Sequence, residues 1–249
     1  MKNKKLLFIL IPVFIVLLLI IILIRGHMSN LEKELLKENS SNIMLYMDSY
    51  INNDSKDIDR YILYALDYSY NENNKEELKS SEIKEIIETI FDINISKEKI
   101  NKIGITPLLL DRNVIHNPEE EVYKIDRSSI TQRQIADIPI ILYKDKSIKK
   151  SGSKYIVKYN KIKIDNPYEI LNYYSDLNNP SDKSNNKKKN KTYDTSKIMN
   201  YLTAKGKIKD VKLAVNDEII KKSGKVDKKL VTVIYKLKGT KFYISEIKK

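Results

Sequence analysis

The chain of 249 residues contains no cysteine. That excludes a disulfide framework, a thiolate metal site and a cysteine nucleophile. Tryptophan is also absent, so a sugar cleft would lack its common aromatic platform. Six glycines are spread through the chain, and none forms a phosphate-cradling loop. Ser151-Gly152-Ser153 lacks the flanks of a nucleophile elbow. There are two histidines. His27 follows a long apolar run, where a polar residue at headgroup level is ordinary. His116 lies among Asn117, Glu119, Glu120 and Glu121, but this spacing matches no class of metal site. No residue is assigned a catalytic, cofactor-binding or metal-ligating role. A non-enzymatic interaction or assembly module is the reading that follows. The alternative is an extracytoplasmic hydrolase or wall-associated enzyme whose site forms only in the fold. A deep pocket with convergent carboxylates would mark that alternative.

Lysine, isoleucine and asparagine are abundant, as in proteins of AT-rich bacterial genomes. The formal net charge is +13, which favours anionic partners such as lipid headgroups, wall polymers or nucleic acid. Lysines concentrate at Lys144, Lys146, Lys149 and Lys150, and again at Lys187, Lys188, Lys189 and Lys191. The second cluster is the candidate polyanion contact. Aromatics do not interleave with either run, so base stacking is not indicated and nucleic acid is disfavoured. Seventeen tyrosines stand beside four phenylalanines. They cluster at Tyr61, Tyr64, Tyr68 and Tyr70, and at Tyr168, Tyr173 and Tyr174. Such rings suit core edges with the hydroxyl reaching water, or a protein-binding face.

Leu6 to Ile24 carries no charge over about 19 residues, or ~28 Å as a helix. The run predicts a retained transmembrane anchor in the bilayer, since no small-residue cleavage site follows it. Residues 1–5 would be a cytoplasmic tail and the remainder extracytoplasmic, giving a single-pass plasma-membrane protein.

Residues 25–106 read as a helical region. Leu31, Leu35, Leu36, Ile43, Met44, Met47, Tyr50 and Ile51 recur at helical steps, with an interruption at Asn39–Asn42. A second helix carries Ile58, Tyr61, Ile62, Ala65, Leu66 and Ser69. Ser80 or Ser81 caps a third with Ile83, Ile86, Ile87, Ile90 and Phe91. Ser96 caps a short fourth that ends near Gly104. Residues 107–249 read as an α+β domain. Strands are expected at Glu121–Ile125, Ile138–Lys144 and from Lys154, with a hairpin loop over Asp145–Ser153. A bulge near Asn160 explains a one-residue slip in apolar phase. Asn166-Pro167-Tyr168-Glu169 begins a helix. Residues 178–193 read as a mobile basic loop, since Asn178–Lys191 has no apolar side chain to bury. A helix runs from Thr195 or Ser196 to Leu202. The end is expected as a three-strand meander: Val211, Leu213 and Val215, then Val231, Val233, Tyr235 and Leu237, then Phe242, Ile244 and Ile247, with a turn at Lys238-Gly239-Thr240.

Helices followed by a curled, mostly antiparallel sheet ending in KLVTVIYKLKGTKFYISEIKK resemble the NTF2-like fold, best over Tyr155 to Lys249. The resemblance implies a cone-shaped domain and a role as an anchored component of an envelope assembly. It carries over no functional residue.

Overall fold

The structure is a computed structural model that describes residues 30–41, 43–51, 57–104, 108–109, 112–126, 137–178, 194–203 and 206–248. The chain divides into two units after Asn42. The first unit contributes helix α1, residues 30–41. It runs through Asn39 to Ser41, where the Asn39 and Ser41 side chains donate back to the carbonyls of Leu35 and Glu38, and Asn42 of the expected interruption lies outside the described residues.

The second unit holds α2 (Met47–Ile51), α3 (Asp57–Asn73), β1 (Glu77–Lys79), α4 (Ser80–Ile90), α5 (Lys97–Asn101), β2 (Leu108–Leu109), β3 (Arg112–Asn117) and β4 (Val122–Asp126). Then come β5 (Ile140–Ser151), β6 (Lys154–Ile164), α6 (Tyr168–Asn178), α7 (Ser196–Leu202), α8 (Ile208–Ala214), α9 (Asp217–Ser223), β7 (Gly224–Lys238) and β8 (Lys241–Lys248). The strands form two antiparallel four-stranded sheets, ordered β1-β4-β3-β2 and β5-β6-β7-β8.

This architecture corrects the expected fold class in three respects. First, the strands form two sheets, and neither is strongly curled, so the cone is not seen. Secondly, two further helices, α8 and α9, follow α6 and α7 between β6 and β7. Thirdly, no helix among the described residues is long and apolar enough to cross a membrane. The longest, α3, has 17 residues and contains Asp59, Arg60, Asp67 and Glu72. Leu6 to Ile24 lies outside the described residues. The transmembrane, single-pass, signal-anchor and plasma-membrane assignments therefore have no described element beneath them, and the two-sided topology falls with them.

Local chemistry explains most boundaries. Ser96 Oγ accepts the Lys99 amide at 3.2 Å and opens α5. Asn166 Oδ1 accepts the Tyr168 amide at 2.8 Å and opens α6. Helix α4 starts one turn position earlier than its serines suggest, with the Lys79 amide donating to the Glu82 carboxylate. The expected hairpin loop over Asp145–Ser153 is mostly strand. β5 continues to Ser151, and Gly152 and Ser153 suffice to turn the chain, with Gly152 at φ 60°. The β6–β7 register shifts between Asn160 and Ile162, where the apolar phase slips. The turn before β8 has Gly239 at φ 62°.

The expected first strand of the terminal meander is helix instead. Ile208, Val211 and Ala214 are buried at three-residue steps, whereas Leu213 is 62% exposed. Asn216 then caps α9 by accepting the amides of Glu218 and Ile219. These helices bury a core of Ile140, Ile164, Ile170, Ile198, Tyr201, Leu202 and Val211. The large sheet also buries Tyr155, Val157, Tyr159, Val231, Val233, Tyr235, Phe242 and Ile244, on the same side as Ile164 because the bulge after Asn160 keeps the apolar residues in phase. Phe91, at the end of α4, forms a bridge with Ile244 and packs on Tyr50, Tyr61 and Tyr64.

Candidate functional site

The feature with most surface chemistry is the open face of the large sheet. In an antiparallel pair, directly opposed residues share a face. The register therefore sorts the sheet into rows. One row runs Ser151, Lys154, Lys236, Tyr243; the next Lys149, Ile156, Ile234, Glu246; the third Ser147, Lys158, Thr232, Lys248. Lys149, Lys154, Lys158 and Lys248 are exposed, and Ile156, Thr232, Ile234 and Tyr243 are half-buried. The neighbouring parity carries the buried Tyr155, Val157, Val233 and Tyr235. One side of the sheet is thus core, and the other presents five lysines and one carboxylate.

Glu246 is paired with Lys248 at 3.2 Å. Asp92, beside the β8 edge, takes Lys236 at 2.7 Å and also Lys238. Hydrogen bonds from those two ammonium groups hold the Asp92 carboxyl below its ordinary range. Among the described residues no carboxylate is paired with Lys149, Lys154 or Lys158. From residue 134 to the end every cationic side chain is lysine. Lysine is a compact, hydrated point charge without the planar fork of arginine, so the face offers charge density rather than bidentate recognition.

Of the lysine sites expected from the sequence, only the run Lys144, Lys146, Lys149 and Lys150 lies among the described residues, and its members differ in surroundings. Lys187, Lys188, Lys189 and Lys191 lie outside the described residues, as do most of the basic loop 178–193 and His27. Lys149 belongs to the open face. Lys144 pairs with Asp217 at 2.5 Å, and Lys150 sits over the Tyr155 ring at 5.3 Å on the opposite face. Lys154, Lys158, Lys236 and Lys248 do not stand out in the sequence, because no run joins them. The alternation Lys154, Ile156, Lys158 against buried Tyr155, Val157 and Tyr159 is the signal that points to them.

The tyrosines are largely internal. Tyr46, Tyr64, Tyr70, Tyr123, Tyr155, Tyr201 and Tyr235 are fully buried. The Tyr159 and Tyr235 hydroxyls meet at 3.0 Å. Tyr168 is 39% exposed. His116 stacks on Tyr123, with centroids 4.1 Å apart, and its Nε2 lies 3.2 Å from Asn101 Oδ1. Burial lowers its pKa. Among the described residues no cluster of histidine and acidic side chains could hold a metal ion.

The interior polar chemistry is concentrated around α2, α3 and α8. Lys212 Nζ meets Asp48 Oδ2 at 2.9 Å, with both side chains 1% exposed, and donates to the Leu45 carbonyl at 2.5 Å. Burial, and then the Asp48 charge, push the Tyr143 hydroxyl pKa up. Asp67 accepts from Ser49 at 2.8 Å and from Asn71 at 2.9 Å. Glu72 accepts from Tyr46 and Lys209. These groups join helices distant in sequence; the Lys212–Asp48 pair is buried, and the Lys209–Glu72 pair is partly exposed.

Among the described residues, depressions open on the surface at two places of interest. One, of about 770 Å³, is lined by residues including Lys75, Glu76, Glu77 and Glu82. There Glu82 is engaged by the Lys75 ammonium and the Lys79 amide. The other, of about 410 Å³, contains Asp92, Lys238 and Tyr243 and borders the basic face. No family model, curated protein or solved structure matches the chain.

Proposed function

We propose that this protein is a non-enzymatic interaction module that holds an anionic partner on the open face of its large sheet. The observation that carries this reading is the set of rows bearing Lys149, Lys154, Lys158, Lys236 and Lys248, of which only Lys236, by Asp92, and Lys248, by Glu246, are paired with a carboxylate among the described residues. Opposed charge raises encounter rates and is retained in the complex when the cations are fixed on a rigid scaffold. The sheet supplies that rigidity, because its other side is packed core. Charge is also segregated along the chain. Residues 43–126 hold eighteen Asp and Glu against ten Lys and Arg, and residues 127–249 hold twelve against thirty. The NTF2-like relationship over Tyr155 to Lys249 is likewise a proposal, supported by the pattern of the terminal hairpin alone.

The experiment is binding of the full chain to a labelled polyanion, poly-L-glutamate, at low salt. The triple variant Lys149→Gln, Lys154→Gln, Lys158→Gln should bind at least tenfold more weakly. A control removing the same charge elsewhere, Lys102→Gln, Lys124→Gln, Lys221→Gln, should change affinity less than twofold. Equal losses in the two variants would show attraction to net charge alone and would defeat the proposal.

A further inference from the structure

We infer that the anionic partner of this face is an acidic segment of another protein that carries an aromatic side chain beside its carboxylates, and that the ring seats in the depression at the β8 border. The inference rests on the interaction-module reading above and specifies its partner. What carries it is the continuity of two unlike surfaces. Tyr243 ends the row Ser151, Lys154, Lys236 on the open face, and it also lines the depression of about 410 Å³. Phe91 and Ile93 line the same depression, with Glu88, Asp92 and Lys238. Its volume lies at the small end of ligand sites and suits one ring. Phe91 is buried against Tyr50, Tyr61 and Tyr64, so that wall is rigid.

The charges of the depression are already matched. Asp92 takes both Lys236 and Lys238, and Glu88 pairs with Lys84 at 3.7 Å. The Lys238 ammonium also lies over the Tyr243 ring at 5.5 Å. This end of the face is therefore close to neutral, whereas Lys149, Lys154 and Lys158 have no paired carboxylate among the described residues. A uniformly charged polymer would set its charge against Asp92 and Glu88 there. An aromatic side chain brings no charge, meets the Tyr243 ring and Ile93, and removes apolar surface from water. In protein interfaces one such anchor carries much of the affinity, while charges steer the approach. Lys154 stands two strands from Tyr243, or ~9–10 Å. An extended peptide covers that in about three residues, so one short segment spans the ring site and the free lysines. Single-stranded nucleic acid brings a ring at every unit and binds on several aromatic platforms. The three rows hold one aromatic side chain, Tyr243.

The test uses the full chain and a labelled peptide in which one phenylalanine is joined through two serines to a run of glutamates. The comparison ligands are the same peptide with serine in place of phenylalanine, and oligo(dT) of equal charge. The phenylalanine peptide should bind about tenfold more tightly than the serine peptide, the scale of one interface anchor. Tyr243→Ser and, separately, Ile93→Asn should each remove most of that preference, and each should leave the serine peptide's affinity unchanged. The Lys149→Gln, Lys154→Gln, Lys158→Gln variant should weaken both peptides by about tenfold or more and keep their ratio. Equal binding of the two peptides would overturn the aromatic anchor and leave the module reading standing. So would a preference that survives both Tyr243→Ser and Ile93→Asn, since the ring would then dock elsewhere. Tighter binding of oligo(dT) than of the phenylalanine peptide would overturn the assignment in favour of nucleic acid. Binding that the lysine variant does not alter would overturn both the inference and the module reading.

Discussion

The two sheets differ in almost every physical respect. The β1-β4-β3-β2 sheet has strands of 3, 5, 6 and 2 residues. The β5-β6-β7-β8 sheet has strands of 12, 11, 15 and 8. The small sheet lies in the acidic part of the chain and the large one in the basic part. Beside the small sheet, exposed charges are matched locally, as in the pair at 2.6 Å between Lys97 of α5 and Glu121 of the turn before β4. On the open face of the large sheet, cations outnumber their partners. A pattern of matched charge is what solubility and modest stabilisation require. A surplus of one sign on a flat, rigid face costs self-repulsion, and a partner relieves it.

The largest test of this contrast lies beneath the surface. Replacing Lys212 by Ala leaves the Asp48 carboxylate buried without its cation, and unfolding free energy should fall by about 3–5 kcal/mol. The double variant Asp48→Leu, Lys212→Met should recover most of that in a denaturant titration. If Lys212→Ala alone is harmless, the pair does not tie α8 to α2.

Gly224→Ala should follow in size. Its Cβ would stand 2.6 Å from the Ile220 carbonyl oxygen, where β7 leaves α9. A loss of about 1–3 kcal/mol is expected, with β7 itself displaced. The matching probe of the small sheet is Tyr123→Phe. It removes a hydroxyl that donates to the carbonyls of Ile100 and Ile103, each at 2.8 Å. About 1 kcal/mol should be lost, with polymer binding at the large sheet unchanged.

The smallest expected effect is at Asp92. Its folded pKa is depressed by Lys236 and Lys238, so its contribution is complete above the ordinary carboxylate value of about 3.9. It is lost as pH falls through the depressed value. Melting temperature should therefore fall less between pH 5 and pH 2.5 in Asp92→Asn than in the parent. At neutral pH the two should differ by less than about 1 kcal/mol. Parallel acid profiles would show that Asp92 contributes nothing to the border of the basic face.

Local signals are readable in the sequence, and tertiary ones are not. The Ser96 and Asn166 caps, the slip at Asn160 and the turn at Gly239 each rest on a few adjacent residues. The Val211-Leu213-Val215 alternation misleads because Ile208, Val211 and Ala214 also satisfy a helical step. Burial against Ile140 and Ile164 decides between the two, and no window of sequence spans that packing. The basic face is hidden for the same reason. Lys158 and Lys248 are brought into one row by pairing through β7. The run Lys144, Lys146, Lys149 and Lys150 draws attention in the sequence, yet Lys144 pairs with Asp217 and Lys150 sits over the Tyr155 ring.

Strand β5 has a further consequence. It is the outer strand of its sheet, and residues 144–147 and 149–151 are exposed. Unpaired amides and carbonyls on such a rim invite zippering with a second copy. Here the rim bears Lys144, Lys146, Lys149 and Lys150, and its ladder is interrupted between Asp145 and Ser147. An approaching strand would have to desolvate several like charges and follow a kinked backbone. The same lysine-rich stretch that contributes to the binding face thus guards the protein against edgewise aggregation. Neutralising it in bulk would trade solubility for ordered self-stacking.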